Sequence, residues 1–276
     1  MDRVRQVVVI LAAVVCAYGT LVGLGLLGTR VEESSGGALA ADATLLAPAG
    51  PAFSIWSVIY VGLAAYTVWQ ALPPAASAGR ARATGWLAAA SMVLNAGWLL
   101  VTQQGWIWVS VAVIFTLLVV LGVLMKRLQQ VPTRGRAEAV VVDATFGLYL
   151  GWVTVATCAN VTAALVDSGV DPGPPVADLA AVAVLTLVAA VGVLLARALG
   201  GRLSVAAAMT WGLAWIAVGR VADEPRSIST AVAAILAAAV VLLATVAARR
   251  RGAGTPHGHG EDRVMTGPTA PPNHAS

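Results

Sequence analysis

Eight stretches of the chain, near residues 7–28, 53–72, 84–104, 106–125, 139–166, 178–199, 203–219 and 229–248, are predominantly apolar. Most approach the ~20 residues that an α-helix needs to cross roughly 30 Å of hydrocarbon at about 1.5 Å per residue. Of the 276 residues, 59% are hydrophobic and 11% charged, too little charge to coat a soluble core large enough to hide these runs. The bilayer is therefore the main solvent and the first partner. The predicted fold class is all-α, a polytopic membrane helix bundle of about eight transmembrane helices. The seventh run is the shortest, and the third and fourth are parted only by Gln103, Gln104 and Gly105, which predicts a helical hairpin.

The net charge of +4 comes from short basic clusters between apolar runs, not from a continuous stripe, so nucleic acid is not an expected partner. The clusters read instead as topology signals. With the N-terminus in the cytoplasm, fourteen of the 17 basic residues fall inside and only Arg30, Arg220 and Arg226 outside. Both termini are thus expected in the cytoplasm of a multi-pass cell-membrane protein. The first run follows Arg3 and Arg5 as a signal peptide would, but it is long for one and is expected to stay as the first helix. Cys16 and Cys158 lie inside apolar runs and imply no disulfide.

Among sequence motifs, Gly23-Leu-Gly25-Leu-Leu-Gly28 fits a dinucleotide-binding pattern but closes a membrane span. Gly19 and Gly23, four apart, are better read as a smooth face for a packed helix. No Walker A, GxSxG or HExxH pattern occurs, His257 and His259 lack further metal ligands, and no catalytic or metal-binding residue is assigned. The spans hold almost no ionisable side chains for a proton relay; the exception, Asp143, is expected at the inner interface near Lys126 and Arg127.

Nine tryptophans divide by position. Trp69, Trp86, Trp106 and Trp108 lie near span ends, where an amphipathic ring anchors at the interface. Trp98, Trp152, Trp211 and Trp215 lie deeper, where an indole N–H needs a partner. Ser91, Asn95 and Trp98 share one face of the third helix, and Tyr149, Trp152, Ala156 and Asn160 one face of the fifth; Trp56 and Tyr60 stand one turn apart on the second. If these faces converge, they line an aromatic pocket with two amides to orient a ligand. The alternative is that the polar groups only bond helix to helix.

These residues carry a resemblance. Tyr149-Leu-Gly-Trp152-Val-Thr-Val-Ala156-Thr157-Cys-Ala-Asn160 is similar to the Pro-Tyr-x-x-Trp…Ala-Thr-x-x-Asn signature of the tryptophan-rich sensory protein / translocator protein family (TspO/MBR). Leu94-Asn95-Ala-Gly-Trp98 resembles its Leu-Asn-x-x-Trp, and Phe53-Ser-Ile-Trp56 with Tyr60 and Tyr66-Thr-Val-Trp69 its second helix. The chain departs from the pattern at Leu148, at Thr102 and Gln103 in place of an aromatic pair, and in the reduced Pro48-Ala-Gly-Pro51 stretch. The resemblance covers residues 1–166 and implies a five-helix membrane domain; beyond it, composition and hydropathy predict an outer linker at 167–177, three additional helices over 178–248 without counterpart in a five-helix family, and a disordered cytoplasmic tail at 249–276, rich in Gly, Pro, Thr and His.

The resemblance further implies a pocket capped by the first outer loop, about residues 29–52, that binds tetrapyrroles such as porphyrin or haem, or lipids such as sterols, for sensing or transport. Trp56, Tyr60, Asn95, Trp98, Tyr149, Trp152 and Asn160 would line it. No cofactor is obligatory, the ligand is a hydrophobic small molecule, and a homodimer is compatible with the family. Competing readings are a secondary transporter of a small solute and a structural protein without a ligand. Enzymatic activity is not expected beyond the light-dependent porphyrin degradation attributed to some family members.

Overall fold

In the computed structural model, which describes residues 1–253, the chain forms eight helices long and apolar enough to cross a membrane and, among the described residues, no strand. They are α1 (Asp2–Gly23), α2 (Ile55–Ala71), α3 (Gly79–Gln103), α4 (Ile107–Gln130), α5 (Thr145–Asp167), α6 (Val176–Ala198), α7 (Leu203–Ala222) and α8 (Ile228–Ala253). Each presents apolar side chains all round, as lipid on one side and protein on the other require. Val7, Leu11, Val14 and Tyr18 of α1 face outward, for instance, while Val9, Ala12 and Cys16 are buried.

The first five helices close a ring: α1 packs on α3, α3 on α4 and α4 on α5, and α2 fills the gap between α5 and α1. Outside the ring α7 lies along α5, α8 packs against α7, and α6 against α8. The apolar core runs without a break from α1 to α8. One face of the bundle, the base, holds the N-terminus, the basic loops and the end of α8, where Arg249 reaches the Gly201 carbonyl. The opposite face, the cap, holds the long loop between α1 and α2.

Two seams bring backbones unusually close. A Cβ placed on Gly19 of α1 would stand 2.8 Å from Ala96 Cα, and one on Gly23 2.5 Å from Leu99 of α3, so these glycines form the expected smooth face. The second seam joins α5 to α7, where a Cβ on Gly151 would stand 2.3 Å from the Val205 carbonyl oxygen.

Several boundaries differ from the hydropathy pattern. α1 ends at Gly23, not near 28, because Gly25 takes a left-handed φ of +77° and the Leu24 and Gly25 N–H groups close back onto Thr20 and Val22. The five residues so released, 24–28, start the cap loop. α7, read as the shortest span, continues to Ala222, and its 20 residues suffice to cross. α8 runs to Ala253, past 248, and the tail expected to be disordered otherwise lies outside the described residues.

The base also corrects the surroundings of Asp143. Its carboxylate meets Arg80 of α3 at 2.6 Å and Arg202 at the start of α7, instead of Lys126 and Arg127, and Arg80 pairs in addition with Glu138 at 3.2 Å. A widened π-helical turn over Ala139–Ala144 carries Asp143 at the entry to α5, between those two helices. Arg127 instead reaches the Ala83 carbonyl. The tryptophan anchors hold in part: Trp86, Trp106 and Trp108 are at least half exposed, whereas Trp69 tucks against Tyr66, ring centres 5.8 Å apart.

Candidate functional site

The faces singled out on α2, α3 and α5 converge in the cap-side half of the ring. Trp56 is the hub: its ring stacks on Tyr60 at 5.3 Å and meets Tyr149 and Trp152 edge-on at 5.9 and 6.2 Å. Phe53, in the short 3₁₀ turn Gly50–Ser54 that leads into α2, meets Trp152 edge-on at 6.0 Å. Such edge-to-face pairs between large rings exceed the value of their buried area by about 0.5–1.5 kcal/mol each. The cluster is therefore a stiff aromatic lining.

The polar groups split into those that are committed and those that are free. Trp98 Nε1 donates to Asn160 Oδ1 at 2.8 Å, and Asn160 Nδ2 donates to Ser110 Oγ at 3.0 Å, whose own proton goes to the Ile107 carbonyl at 2.7 Å. This chain ties α3, α5 and α4 together and uses both ends of the Asn160 amide. The polar atoms of Asn160 and Trp98 are thus engaged between helices, while both side chains still line a cavity. Asn95 Nδ2 donates to the Tyr60 hydroxyl at 3.1 Å, and Tyr149 donates to the Ser91 carbonyl at 3.2 Å.

On the cap loop Thr44 Oγ1 has no partner among the described residues, and on the ring helices two more buried atoms, Asn95 Oδ1 and Trp152 Nε1, have none either. Both side chains are almost fully buried, at 1% and 2% exposure. An unpaired polar group in such a place costs about 1–3 kcal/mol, so its retention asks for a reason.

Three cavities surround this cluster. Under the cap loop, Thr44, Ala47 and Pro48 face Trp98, Trp152 and Asn160 across a space of about 50 Å³. Deeper, Asn95, Trp56 and Trp152 border about 30 Å³ with Ile114 and Leu117 of α4. Between α1 and α2, Thr20, Trp56 and Tyr60 border about 190 Å³, with Arg30 and Glu32 at its rim. Phe53 lines all three and so partitions them. Of the seven residues singled out in the sequence, six line one or more of these spaces; Tyr149 stands behind Trp56 and lines none of the three.

The sequence pattern did not single out Phe53 as a lining residue, Ser110 as the partner of Asn160, or Cys16, 3.6 Å from Asn95 Nδ2. A lone serine in the apolar run of α4 was the available sign of Ser110. The first outer loop, about residues 29–52, was expected to cap the bundle, its later part being rich in Ala and Leu. It folds over the bundle and buries Leu46, Ala47, Ala49 and Ala52. Gln103, which departs from the motif pattern, clasps the loop: its amide accepts from the Thr29 N–H and donates to the Thr29 carbonyl, each at 2.9 Å.

The model of a family described as TSPO-like protein matches residues 4–247. The match extends beyond the 166 residues that carry the motif resemblance and takes in α6, α7 and most of α8, so these helices are not an appendage outside the family pattern. No curated protein and no solved structure matches the chain.

Proposed function

Because the chain belongs to the TSPO-like family, we propose that this multi-pass membrane protein binds a flat hydrophobic ligand, a tetrapyrrole or a lipid, beneath its cap loop, for sensing or transport. The observation that carries this reading is the pair of buried, unpaired atoms, Asn95 Oδ1 and Trp152 Nε1, beside cavities walled by indole rings. Indole faces stack on a flat macrocycle, and one acceptor plus one donor suffices to orient its polar edge. The basic base face in the cytoplasm accords with the positive-inside rule and turns the chamber toward the opposite side.

None of the three cavities reaches the ~300 Å³ at which ligand pockets begin, and together they fall just short of it, so binding requires Phe53 to turn aside, which merges them and adds the space its ring fills. The charged side chains lining these spaces are Arg30 and Glu32, at the rim. Among the described residues no charged side chain lines the two deeper spaces, and porphyrin breakdown there is expected to be sensitised photochemistry, absent in the dark.

The test is a titration with protoporphyrin IX in detergent, read by quenching of tryptophan fluorescence. The Trp98→Ala, Trp152→Ala double variant is expected to bind at least about tenfold more weakly, as loss of a buried aromatic anchor generally brings. Trp152→Phe, which keeps a ring and removes only the N–H, is expected to lose a smaller part. Equal quenching in wild type and double variant would rule the chamber out. A companion measurement addresses the partition: Phe53→Ala is expected to speed porphyrin association severalfold, because the side chain that must move is gone. An unchanged association rate would show that Phe53 does not limit entry.

A further inference from the structure

The part of the cap loop that roofs the chamber is held by α7, a helix outside the ring. Trp211 Nε1 donates to the Ala52 carbonyl at 2.9 Å, the Ala49 N–H donates to the Trp215 carbonyl at 3.2 Å, and Arg220 Nη2 donates to the Ala41 carbonyl at 2.9 Å. Trp211 and Trp215 brace one another edge-on at 5.7 Å. The α3 side grips the loop elsewhere, at Thr29 and Ser35. Ala38, Leu39, Thr44, Ala47 and Pro48, which line the cavity, therefore lie between the upstream hold on α3 and the contacts to α7 at Ala41, Ala49 and Ala52.

Arg220 is the unusual member of this set. It is fully buried, yet its guanidinium is held by two carbonyls, Ala41 and Pro225, and no carboxylate pairs with it among the described residues. The two carbonyls take one N–H from each terminal nitrogen, Nε has no partner among the described residues, and the charge is offset only at longer range by Asp42, Asp223 and Glu224. When the loop leaves, Arg220 gives up the Ala41 hydrogen bond and the longer-range attraction of Asp42, with no direct ion pair to break.

We propose that α7 is the latch of the chamber: the segment from Ala41 to Ala52 lifts from Trp211, Trp215 and Arg220 to admit the ligand, and Arg220 is the positioning residue that brings it back. This rests on the ligand-binding reading for its purpose, but the motion can be measured without any ligand. It gives the helices beyond the ring a task, since α7 is itself clamped to α5 along the glycine seam and at Asp143.

Two experiments test it. A Cβ at position 219 would lie 3.6 Å from Ala49 Cβ, within the ~3.5–4.5 Å that a disulfide spans. In the Ala49→Cys, Gly219→Cys variant, oxidation is expected to slow protoporphyrin IX association at least about tenfold, and reduction to restore it, with wild type unaffected by either treatment. Equal rates in oxidised and reduced forms would overturn the latch while leaving the chamber standing, the ligand then entering between α1 and α2. Porphyrin failing to bind wild type at all would count against the ligand reading alone. The second experiment needs no ligand: an Ala47→Cys reporter, buried under the loop, is labelled by a maleimide above the background of Cys16 and Cys158. Adding Arg220→Gln is expected to raise the labelling rate about tenfold, through loss of a charge-assisted hydrogen bond. An unchanged rate would overturn the latch whatever porphyrin does.

Discussion

Replacing Asp143 by Ala is expected to cost about 3–5 kcal/mol of stability, among the largest losses available to a single substitution in this chain. Its carboxylate is 15% exposed and is shared by Arg80, 3% exposed, and Arg202, 21% exposed. Its removal leaves Arg202 without a carboxylate partner and Arg80 with Glu138 alone. Charges retained at such depth without a counter-charge weigh far more than the packing lost with a small side chain. The pair between Asp2 and Arg82 is the natural control, because Arg82 is 59% exposed and water already screens the interaction. Because Asp2 also pairs with the buried Arg5, the control is made at the exposed end: Arg82→Ala is expected to leave the denaturation midpoint nearly unchanged. Denaturation midpoints followed by tryptophan fluorescence in detergent compare the two; similar losses would mean that the base cluster is not a buried network in the membrane-embedded protein.

Gly151→Val is the second large effect. The Cβ alone would stand 2.3 Å from the Val205 carbonyl oxygen and 3.0 Å from Ala208 Cβ, and the former is backbone, which cannot turn aside as a side chain can. α7 must therefore move away from α5 as a body. Gly151→Ala is expected to cost about 1–3 kcal/mol and the valine more, despite the better helix propensity of both than glycine. Gly97→Ala, with nothing within 4 Å of the new methyl, is the matched control and is expected to stabilise by up to about 1 kcal/mol. If both alanine variants shift the denaturation midpoint alike, close approach along this seam is not what holds α7. Since α7 carries the contacts to the cap loop, Gly151→Ala is also expected to raise maleimide labelling of the Ala47→Cys reporter.

The two substitutions also mark where reading the chain residue by residue stops. Asp143 was visible as a rare acidic residue in an apolar run, and its depth at an inner helix end was legible from its place in that run. Its partners were not, because Arg80 lies 63 residues before it and Arg202 59 after, and only the packing of α3 and α7 on either side of α5 brings them together. Gly147 and Gly151 repeat the four-residue spacing of Gly19 and Gly23, yet nothing local says which helix a smooth face will meet.

Hydropathy alone determined the eight spans, since the bilayer imposes one length and one secondary structure on any segment that crosses it. Helical spacing likewise placed Asn95 beside Trp98, and Tyr149, Trp152 and Asn160 on one face, because the 3.6-residue turn is a local property. The tertiary structure decided what those faces do to one another. It commits Asn160 to Trp98 and Ser110 and leaves Asn95 Oδ1 and Trp152 Nε1 of the ring, with Thr44 Oγ1 of the loop, unpaired in the chamber. It puts Phe53 between three cavities and sets Trp211, Trp215 and Arg220 against a loop some 160 residues earlier in the chain. Within the membrane every polar group seeks a partner, and the identity of that partner is fixed by which helices lie side by side.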